Sequence, residues 1–149
     1  MDEPILAAVD DSDSASAVLE RAVSLATATD SPLHVLTVVE PRGNRLAFGI
    51  EEVDDLNTAA SALTEHVADA NRSVELQAEV RRGRPDDEIL AYAAEIDASL
   101  LVVGRQGTAG LPRALLGSTA DRLARLSPIP VVIVPAADLE GASQSDRSS

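Results

Sequence analysis

Three short stretches of this chain are apolar at every position, and they limit the folds open to it. They are Ile5–Val9, Leu100–Val103 and Val131–Val134. A strand with one face in water alternates apolar and polar residues, whereas a continuous apolar run is typical of a strand that is covered on both faces. The three runs therefore favour an α/β fold in which helices cover both faces of an open parallel sheet.

The remaining pattern predicts two more strands and four helices. Strands are expected over residues 4–10, 33–39, 74–81, 100–103 and 131–134, and helices up to about 28, over 51–70, from 85 and from 118. Residues 74–81 alternate, which indicates a half-exposed strand at a sheet edge. In the last helix Ala120, Leu123 and Ala124 are expected to face inward. Four strand–helix–strand crossovers predict a parallel sheet of five strands.

Composition and charge restrict the function classes. The 149 residues include no cysteine, so thiolate metal sites and a cysteine nucleophile are excluded. The formal net charge is −13, and all twelve basic residues are arginine. An acidic chain without lysine has the composition that we expect of an extreme halophile, and the alternative is an acidic mesophilic protein. The charge also argues against a nucleic-acid partner, because phosphate backbones are bound by basic patches.

The ends of the chain give the expected boundaries and location. One domain is expected over residues 1–137, followed by a polar, Ser-rich tail over 138–149 that is expected to be disordered. The acidic start, Met1-Asp2-Glu3, does not resemble a secretory leader, and no apolar run is long enough to span a membrane. We therefore expect a cytoplasmic protein without a membrane partner.

The stretch Val102–Thr119 carries the clearest functional pattern. A buried strand stops at Gly104, Gly107 follows, and Gly117 with its following serine opens the last predicted helix, which gives the spacing G-x2-G-x9-G-S. A helix N-terminus presents unpaired N–H groups and the positive end of the helix dipole, and both suit a phosphate. Glycine permits a positive φ and a close approach of the backbone to a ligand. The stretch therefore predicts a phosphate site.

This spacing, the acidic turn at residues 10–14 and the closing segment GLPRALLGSTADRLARLSPIPVVIV resemble the universal stress protein family in its ATP-binding branch. The resemblance covers Ile5–Pro135. It implies a Rossmann-like fold, similar to that of the adenine nucleotide alpha hydrolases, with strand order 3-2-1-4-5. It also implies ATP as the ligand, or ADP or AMP in its place, with Mg²⁺ or Mn²⁺ on the phosphates.

The implied order makes the first and fourth strands neighbours at a topological switch point, where ligands bind beyond the carboxyl ends of strands. The resemblance implies that residues after the first strand contact the adenosine part, that the second strand offers backbone groups to adenine, and that Gly104 and Arg105 lie beside the ribose. The last helix and its preceding loop would hold the phosphates. The implied binding residues are Ala8, Val9, Asp10, Val38, Gly104, Arg105, Gly107, Gly117, Ser118 and Thr119.

Several of these residues keep a second interpretation. Asp10 is also a candidate helix N-cap, and Val38 a plain core valine. Arg105 and Gln106 stand where family members commonly carry a small hydroxyl residue and a His or Arg, so their ribose and phosphate contacts depart from the family pattern. Arg113 lies within the loop and either offsets phosphate charge or is solvated.

Other phosphate motifs and catalytic constellations do not fit the sequence. A Walker A loop needs lysine, and the dinucleotide pattern needs glycines in the turn after the first strand; the chain has neither. His34 and His66 lack the sequence context of a catalytic triad or a metal site, so both are expected to be structural. No catalytic or metal-ligating residue is therefore assigned.

Val131–Val134 would form an apolar strand at a sheet edge, which is prone to aggregation if it is exposed. A homodimer through this strand, which the family also forms, or a fold-back of the tail would cover it. The predicted function is a nucleotide-sensing stress-response dimer that acts on a downstream protein the sequence does not identify. The alternatives are a slow Mg²⁺-dependent ATPase, with Asp11 or Asp13 orienting water, and a scaffold dimer that binds no nucleotide.

Overall fold

A computed structural model describes residues 3–10, 15–41, 57–58, 60–61, 64–65, 74–105 and 117–135. The strands are β1 (Ile5–Ala8), β2 (Leu33–Val39), β3 (Leu76–Arg82), β4 (Leu100–Gly104) and β5 (Val131–Val134). The helices are α1 (Ala15–Thr29), α2 (Pro85–Ile96) and α3 (Ser118–Leu126). Residues 57, 58, 60, 61, 64 and 65 are also helical and lie between β2 and β3 along the chain.

The five strands form one sheet in the order β3-β2-β1-β4-β5, and every neighbouring pair is parallel. This confirms the predicted open sheet, its order and its Rossmann-like class. The first strand lies at the centre, where Ala8 pairs with Leu36 of β2 and with Val103 of β4. Since β1 is covered on both faces and both sides, its continuous apolar sequence is the one that the position requires.

Alternate residues of the central strand serve two separate hydrophobic clusters. Ile5 and Ala7 pack with the buried face of α1 on one side of the sheet. Leu6 packs on the other side, with buried residues of α2 and α3. Successive side chains of a strand point to opposite faces, so a single strand contributes to both layers. This arrangement confirms the expected helices on both faces of the sheet.

Helix α1 shows how its sequence gives one of these layers. Its buried residues recur at the three- and four-residue spacing of one helix face: Ala15, Val18, Leu19, Ala22, Val23 and Ala26. The helix ends at Thr29, and Asp30 turns the chain with a φ of 55°, in the left-handed region that Asp tolerates better than most residues. Pro32 then leads into β2.

Helix α3 has a much narrower apolar face. Its buried residues are Ala120 and Leu123, whereas Ala124 is exposed. The prediction that Ala124 faces inward is therefore wrong, because the sheet covers one residue per turn of this short helix. The N–H of Ser127 donates to the C=O of Leu123 at 2.9 Å, and Pro128 follows, so the helix cannot continue.

The sheet has two different edges. β3 lies at one edge, as its alternating sequence predicts, and Gln77 and Ala78 are exposed there. β5 lies at the other edge, where Val131, Val132 and Ile133 are half-buried. Among the described residues no helix is both long and apolar enough to cross a membrane.

Candidate functional site at the carboxyl edge of the sheet

The carboxyl ends of β1 and β4 lie side by side. β1 ends at Ala8, opposite Val103, and β4 runs one residue further to Gly104. Crossovers leave β1 toward β2 and β3 on one side, whereas β4 and β5 lie on the other side. The boundary between β1 and β4 is therefore the topological switch point of the sheet, where a crevice opens in folds of this class. Ala8, Asp10 and Gly104 are half-buried at this edge.

Two backbone hydrogen bonds bring α3 to the same place. The N–H of Arg105 donates to the C=O of Val134 at 2.8 Å, which holds the chain in line with the sheet just beyond β4. The C=O of Arg105 then accepts from the N–H of Gly117, also at 2.8 Å. One hydrogen bond thus joins the last described residue before 106–116 to the first described residue after them. The N-terminus of α3 is therefore fixed beside the end of β4.

The N-terminus of α3 carries no side-chain cap. Gly117 is the N-cap residue and has no side chain that could accept from the first N–H groups of the helix. Asp121, the acidic residue of the first turn, lies at its far end. Ser118 and Thr119 are the first two residues of the helix, so both hydroxyls lie at this end. Ser118 is exposed, and Thr119 is half-buried. The end presents N–H donors and the positive dipole terminus, which suit an anion.

Helix α2 begins at the same edge of the sheet and also has no side-chain cap, but its first turn is more acidic than that of α3. Its first turn contains three acidic residues, Asp86, Asp87 and Glu88, and its first residue is Pro85, which has no N–H. The side chain of Glu88 folds back so closely that a Cβ on Gly83 would lie 2.7 Å from its carboxylate. The chain's own carboxylates thus occupy this helix end, and an added anion would be repelled from it.

At the described positions of the glycine motif, the backbone angles do not require glycine. Gly117 has φ −64° and ψ 159°, an extended conformation that any residue adopts. Among the described glycines only Gly83 has a positive φ. Neither Gly104 nor Gly117 uses the positive φ that glycine permits. What glycine offers at Gly117 is the absence of a side chain at the open helix end.

Val38 lies on β2, two residues beyond the last pairing with β1. The C=O of Leu36 accepts from the N–H of Val9 at 2.9 Å, so Leu36 directs its backbone groups toward β1. Backbone direction alternates along a strand, so Val38 directs its N–H and C=O to the same side. At that level β1 has already ended. The side chain of Val38 packs against the α2 and α3 layer, so its backbone and its side chain serve different purposes.

The structure therefore brings together Ala8, Val9, Asp10, Val38, Gly104, Arg105, Gly117, Ser118 and Thr119 at one edge of the sheet. Gly107, Gln106 and Arg113 lie outside the described residues, as do Asp11 and Asp13. Within the described ranges no group of three or more His, Asp or Glu side chains is placed to hold a metal ion.

The sequence profile of the universal stress protein family matches residues 1–135. The chain belongs to this family. Universal stress protein YxiE of Bacillus subtilis (strain 168) is 29% identical over 143 residues, which cover 87% of this chain and 97% of the relative. The family predicted from the glycine spacing and the closing segment is thereby confirmed.

Two solved members of the family are similar in structure and carry ligands. A universal stress protein crystallised in complex with cAMP is 26% identical, with a TM-score of 0.67 over 89% of this chain and 96% of that one. The universal stress protein from Archaeoglobus fulgidus in complex with dAMP is 25% identical, with a TM-score of 0.64 over 89% of this chain and 97% of that one.

This family member also has an ion pair beside the site that the sequence reading did not identify. The Nε of Arg122, on α3, donates to Oδ2 of Asp86, on α2, at 2.5 Å. The side chain of Asp86 is 6% exposed, and that of Arg122 is 42% exposed. The sequence explains an acidic residue at this position, because acidic residues are favourable in the first turn of a helix. Its cross-helix partner depends on α2 and α3 sharing one face of the sheet, which no local pattern indicates.

The Asp86 carboxylate is expected to make this universal stress protein less stable in acid. The hydrogen bond from Arg122 is the main cause that holds the pKa of Asp86 below its ordinary value, and burial opposes it. A depressed folded-state pKa contributes stability that is present above the unfolded pKa and lost as the pH falls through the folded one. We therefore expect the free energy of unfolding to decline below about pH 4.

Chemical denaturation from neutral to acidic pH measures this dependence. Asp86→Asn should flatten the pH dependence of the free energy of unfolding. Asp87→Asn is a matched change at a carboxylate one residue away that is 64% exposed, and its pH dependence should stay close to that of the wild type. Identical slopes for the wild type and Asp86→Asn would show that the pair does not contribute.

His34 has a structural partner in the α2 layer. Its Nδ1 lies 2.9 Å from the hydroxyl of Tyr92, and the two ring centroids are 5.8 Å apart. Burial lowers the pKa of His34, while Glu75 and Glu79 act in the opposite direction. These contacts give the tyrosine hydroxyl a hydrogen-bond partner. They account for a histidine at position 34 by a structural role. His66 lies outside the described residues.

Proposed function

We propose that this chain binds an adenine nucleotide, ATP in the first place, at the carboxyl edge of β1 and β4 and acts as a nucleotide-sensing regulator in a stress response. The observation that carries the proposal is the hydrogen bond between the N–H of Gly117 and the C=O of Arg105. It sets an uncapped helix N-terminus beside the switch point of a parallel sheet, where a phosphate and a nucleoside can bind side by side.

The residues divide the ligand between them. The backbone N–H groups at the start of α3 and the hydroxyls of Ser118 and Thr119 would donate to phosphate oxygens, together with Gly107. Gly104 and Arg105 would lie beside the ribose. Asp10 would accept a ribose hydroxyl, with Ala8 and Val9 as the adjacent wall, and the backbone of Val38 would pair with the adenine edge.

The two related complexes support the adenosine half of the proposal. cAMP and dAMP each contain adenine and one phosphate, so they support adenine recognition and one phosphate position. The proposal of ATP depends on the uncapped α3 end and on the glycine spacing, which offer donors to a longer phosphate chain. ADP and AMP are the competing ligands.

A divalent ion would accompany the phosphates. Mg²⁺ or Mn²⁺ supplies charge neutralisation and is usually held by phosphate oxygens, water and one or two carboxylates. Asp10 is the described carboxylate nearest in sequence to the end of β1 and is half-buried there. In this assignment the phosphates provide most of the ligands.

Nucleotide content is the first test. The protein is purified in molar KCl, which screens its charge of −13 from the anionic ligand, and the supernatant after heat denaturation is separated by anion-exchange chromatography with mass detection. We expect ATP, followed by calorimetric binding of Mg-ATP and none of Mg-GTP. ADP alone would favour the hydrolytic alternative. A protein that is empty and takes up no Mg-ATP would overturn the proposal and leave a scaffold dimer.

A homodimer through β5 is part of the proposal. The C=O groups of Pro130 and Val134 accept from Leu101 and Arg105, so alternation directs the N–H and C=O of Val131 and Ile133 away from the sheet. These groups, flanked by half-buried apolar side chains, form an edge that a second copy of β5 would pair. The downstream protein that reads the nucleotide state remains to be found by capture experiments.

Ile133→Pro is expected to convert the dimer to a monomer in light scattering, because proline removes an outward N–H from the paired edge. Ala78→Pro is the matched control: it lies on the opposite edge strand, and alternation from the bond between Leu33 N–H and Glu75 C=O directs its N–H outward as well. The control should keep the wild-type mass. Loss of the dimer in both variants, or in neither, would contradict pairing through β5.

A further inference from the structure

Helix α3 has few apolar contacts to hold the end on which the proposed phosphate site depends. It is nine residues long, and its buried side chains are Ala120 and Leu123. Both lie in the layer that α2 shares. The backbone bond from Gly117 to Arg105 fixes where the helix begins, but it leaves the direction of the helix axis to side-chain contacts.

The pair of Asp86 and Arg122 lies where it can set that direction. Asp86 is the second residue of α2, and Arg122 is the fifth residue of α3. Both helices begin at the carboxyl edge of the sheet, so the pair joins the first turn of α2 to the residue about one turn into α3. Ser118 and Arg122 are four residues apart and therefore lie on one face of α3, one above the other. The pair thus holds the turn that carries the proposed phosphate donors.

The surroundings of Asp86 make this link hard to replace. Its carboxylate is almost fully buried, and the next nearest cation among the described residues is Arg84, whose Nη2 lies 3.9 Å away on a side chain that is 66% exposed. The close contact is to Arg122. A buried carboxylate that loses its partner is strongly unfavourable, so the geometry of α2 and α3 must keep the two groups together.

A second ion pair on α3 shows the contrast. Arg125 Nη2 lies 3.2 Å from Oδ2 of Asp121, four residues earlier on the same helix, and both side chains are largely exposed. That pair connects two turns of one helix and says nothing about its position on the sheet. The pair of Arg122 and Asp86 crosses from one helix to another.

We infer that Asp86 and Arg122 are a positioning pair for the phosphate site: they orient the N-terminus of α3 without contacting the nucleotide. The inference rests on the proposed function, since it concerns the same site. It predicts a specific split, because the adenosine part is assigned to residues at the ends of β1, β2 and β4, whereas the pair joins α2 and α3. Breaking the pair should weaken binding of ATP and leave binding of adenosine unchanged.

The test is a double-mutant cycle with two ligands. Affinities for Mg-ATP and for adenosine are measured by calorimetry for the wild type, Asp86→Asn, Arg122→Gln and the double variant, each shown to be folded by circular dichroism at the temperature used. Each single variant should bind ATP roughly tenfold more weakly and the double variant no more weakly than either single one. Arg122→Lys, which keeps the charge but not the planar guanidinium, should fall between the wild type and Arg122→Gln.

Matched controls are available on both helices. Asp87→Asn and Arg125→Gln make the same charge changes at exposed positions on α2 and α3, and both should bind ATP as the wild type does. An equal loss of ATP and adenosine affinity, or a lower melting temperature with unchanged affinities, would reduce the pair to a purely structural role and overturn the inference. A loss in Arg122→Gln with tighter binding in Asp86→Asn would instead show that Arg122 contacts phosphate directly, and would also overturn it.

The two proposals fail in different ways. If the wild type binds neither ATP nor adenosine, the proposed function fails and the positioning role falls with it. If the wild type binds both and the variants of the pair bind ATP equally well, only the positioning role fails.

Discussion

Gly117→Val is expected to reduce the affinity for Mg-ATP by about a hundredfold or more, which is about 2.7 kcal/mol of binding free energy. Gly117 is the N-cap of α3 and is buried, and its N–H donates to Arg105 C=O. A branched side chain at this position would occupy the space in which phosphate oxygens must approach the first N–H groups of the helix. Since the φ of Gly117 suits any residue, the effect comes from bulk at the site and not from backbone strain.

Ala124→Val is the control for this change. It adds a branched side chain to the same helix at an exposed position, away from the N-terminus. Its cost is expected to be limited to the weaker helix propensity of valine, about 0.5 kcal/mol, with ATP affinity kept. Binding isotherms and thermal melts of both variants separate the two effects. Wild-type ATP affinity in a folded Gly117→Val protein would show that the start of α3 does not hold the phosphates.

Leu123→Ala is expected to lower the free energy of unfolding by about 2–5 kcal/mol, the range seen for leucine truncation in well-packed cores. Leu123 has no exposed surface and is the larger of the two buried side chains of α3. It packs in the layer that contains Leu6, Leu36 and Leu101. Removing it leaves a cavity beneath the helix, because neither the sheet nor α2 can move into the space without losing other contacts.

The same substitution one turn later provides the comparison. Leu126 is 51% exposed, so Leu126→Ala should cost about 0.5 kcal/mol or less. Denaturant titrations of both variants measure the difference. For a chain of this size, each kcal/mol of lost unfolding free energy lowers the melting temperature by roughly 2–4 °C. The melting temperature of Leu123→Ala should therefore be clearly lower than that of the wild type. Similar losses for the two leucines would mean that α3 does not pack on the sheet as described.

Much of the fold follows from local sequence patterns. The apolar run at Ile5–Val9 indicated a strand that is covered on both faces, and β1 lies at the centre of the sheet. The alternation before Arg82 indicated an edge, and β3 lies there. These predictions succeed because hydrophobic periodicity reports how much of an element is covered, and coverage differs between central strands, edge strands and helices.

The same patterns predict less well where coverage is partial. Ala124 was expected to be inside because alanine at that spacing fits an apolar stripe, yet it is exposed. Alanine is small enough to be tolerated on either face, so its presence in a stripe carries little information. The motif glycines were a similar case: their spacing marked the site, but a positive φ was not the reason for glycine at Gly104 or Gly117.

Contacts between elements were decided by the tertiary structure. Arg81 illustrates this: it forms a two-pronged pair with Glu95 of α2 at 2.7 and 2.8 Å and lies 4.6 Å from the centre of the Tyr92 ring. No spacing in the chain links residues 14 positions apart on a strand and a helix. The backbone direction of Val38 and the pair of Asp86 and Arg122 have the same origin.

The sequence by itself determined the family and the parallel α/β sheet, because apolar runs and the glycine spacing are local properties of the chain. The tertiary structure decided that the N-terminus of α3 lies beside the end of β4, because the N–H of Gly117 donates to the C=O of Arg105. It also decided that a buried carboxylate on α2 holds α3 in place. A charge finds its partner only when two elements pack on one face of the sheet, and that packing is set by the whole fold.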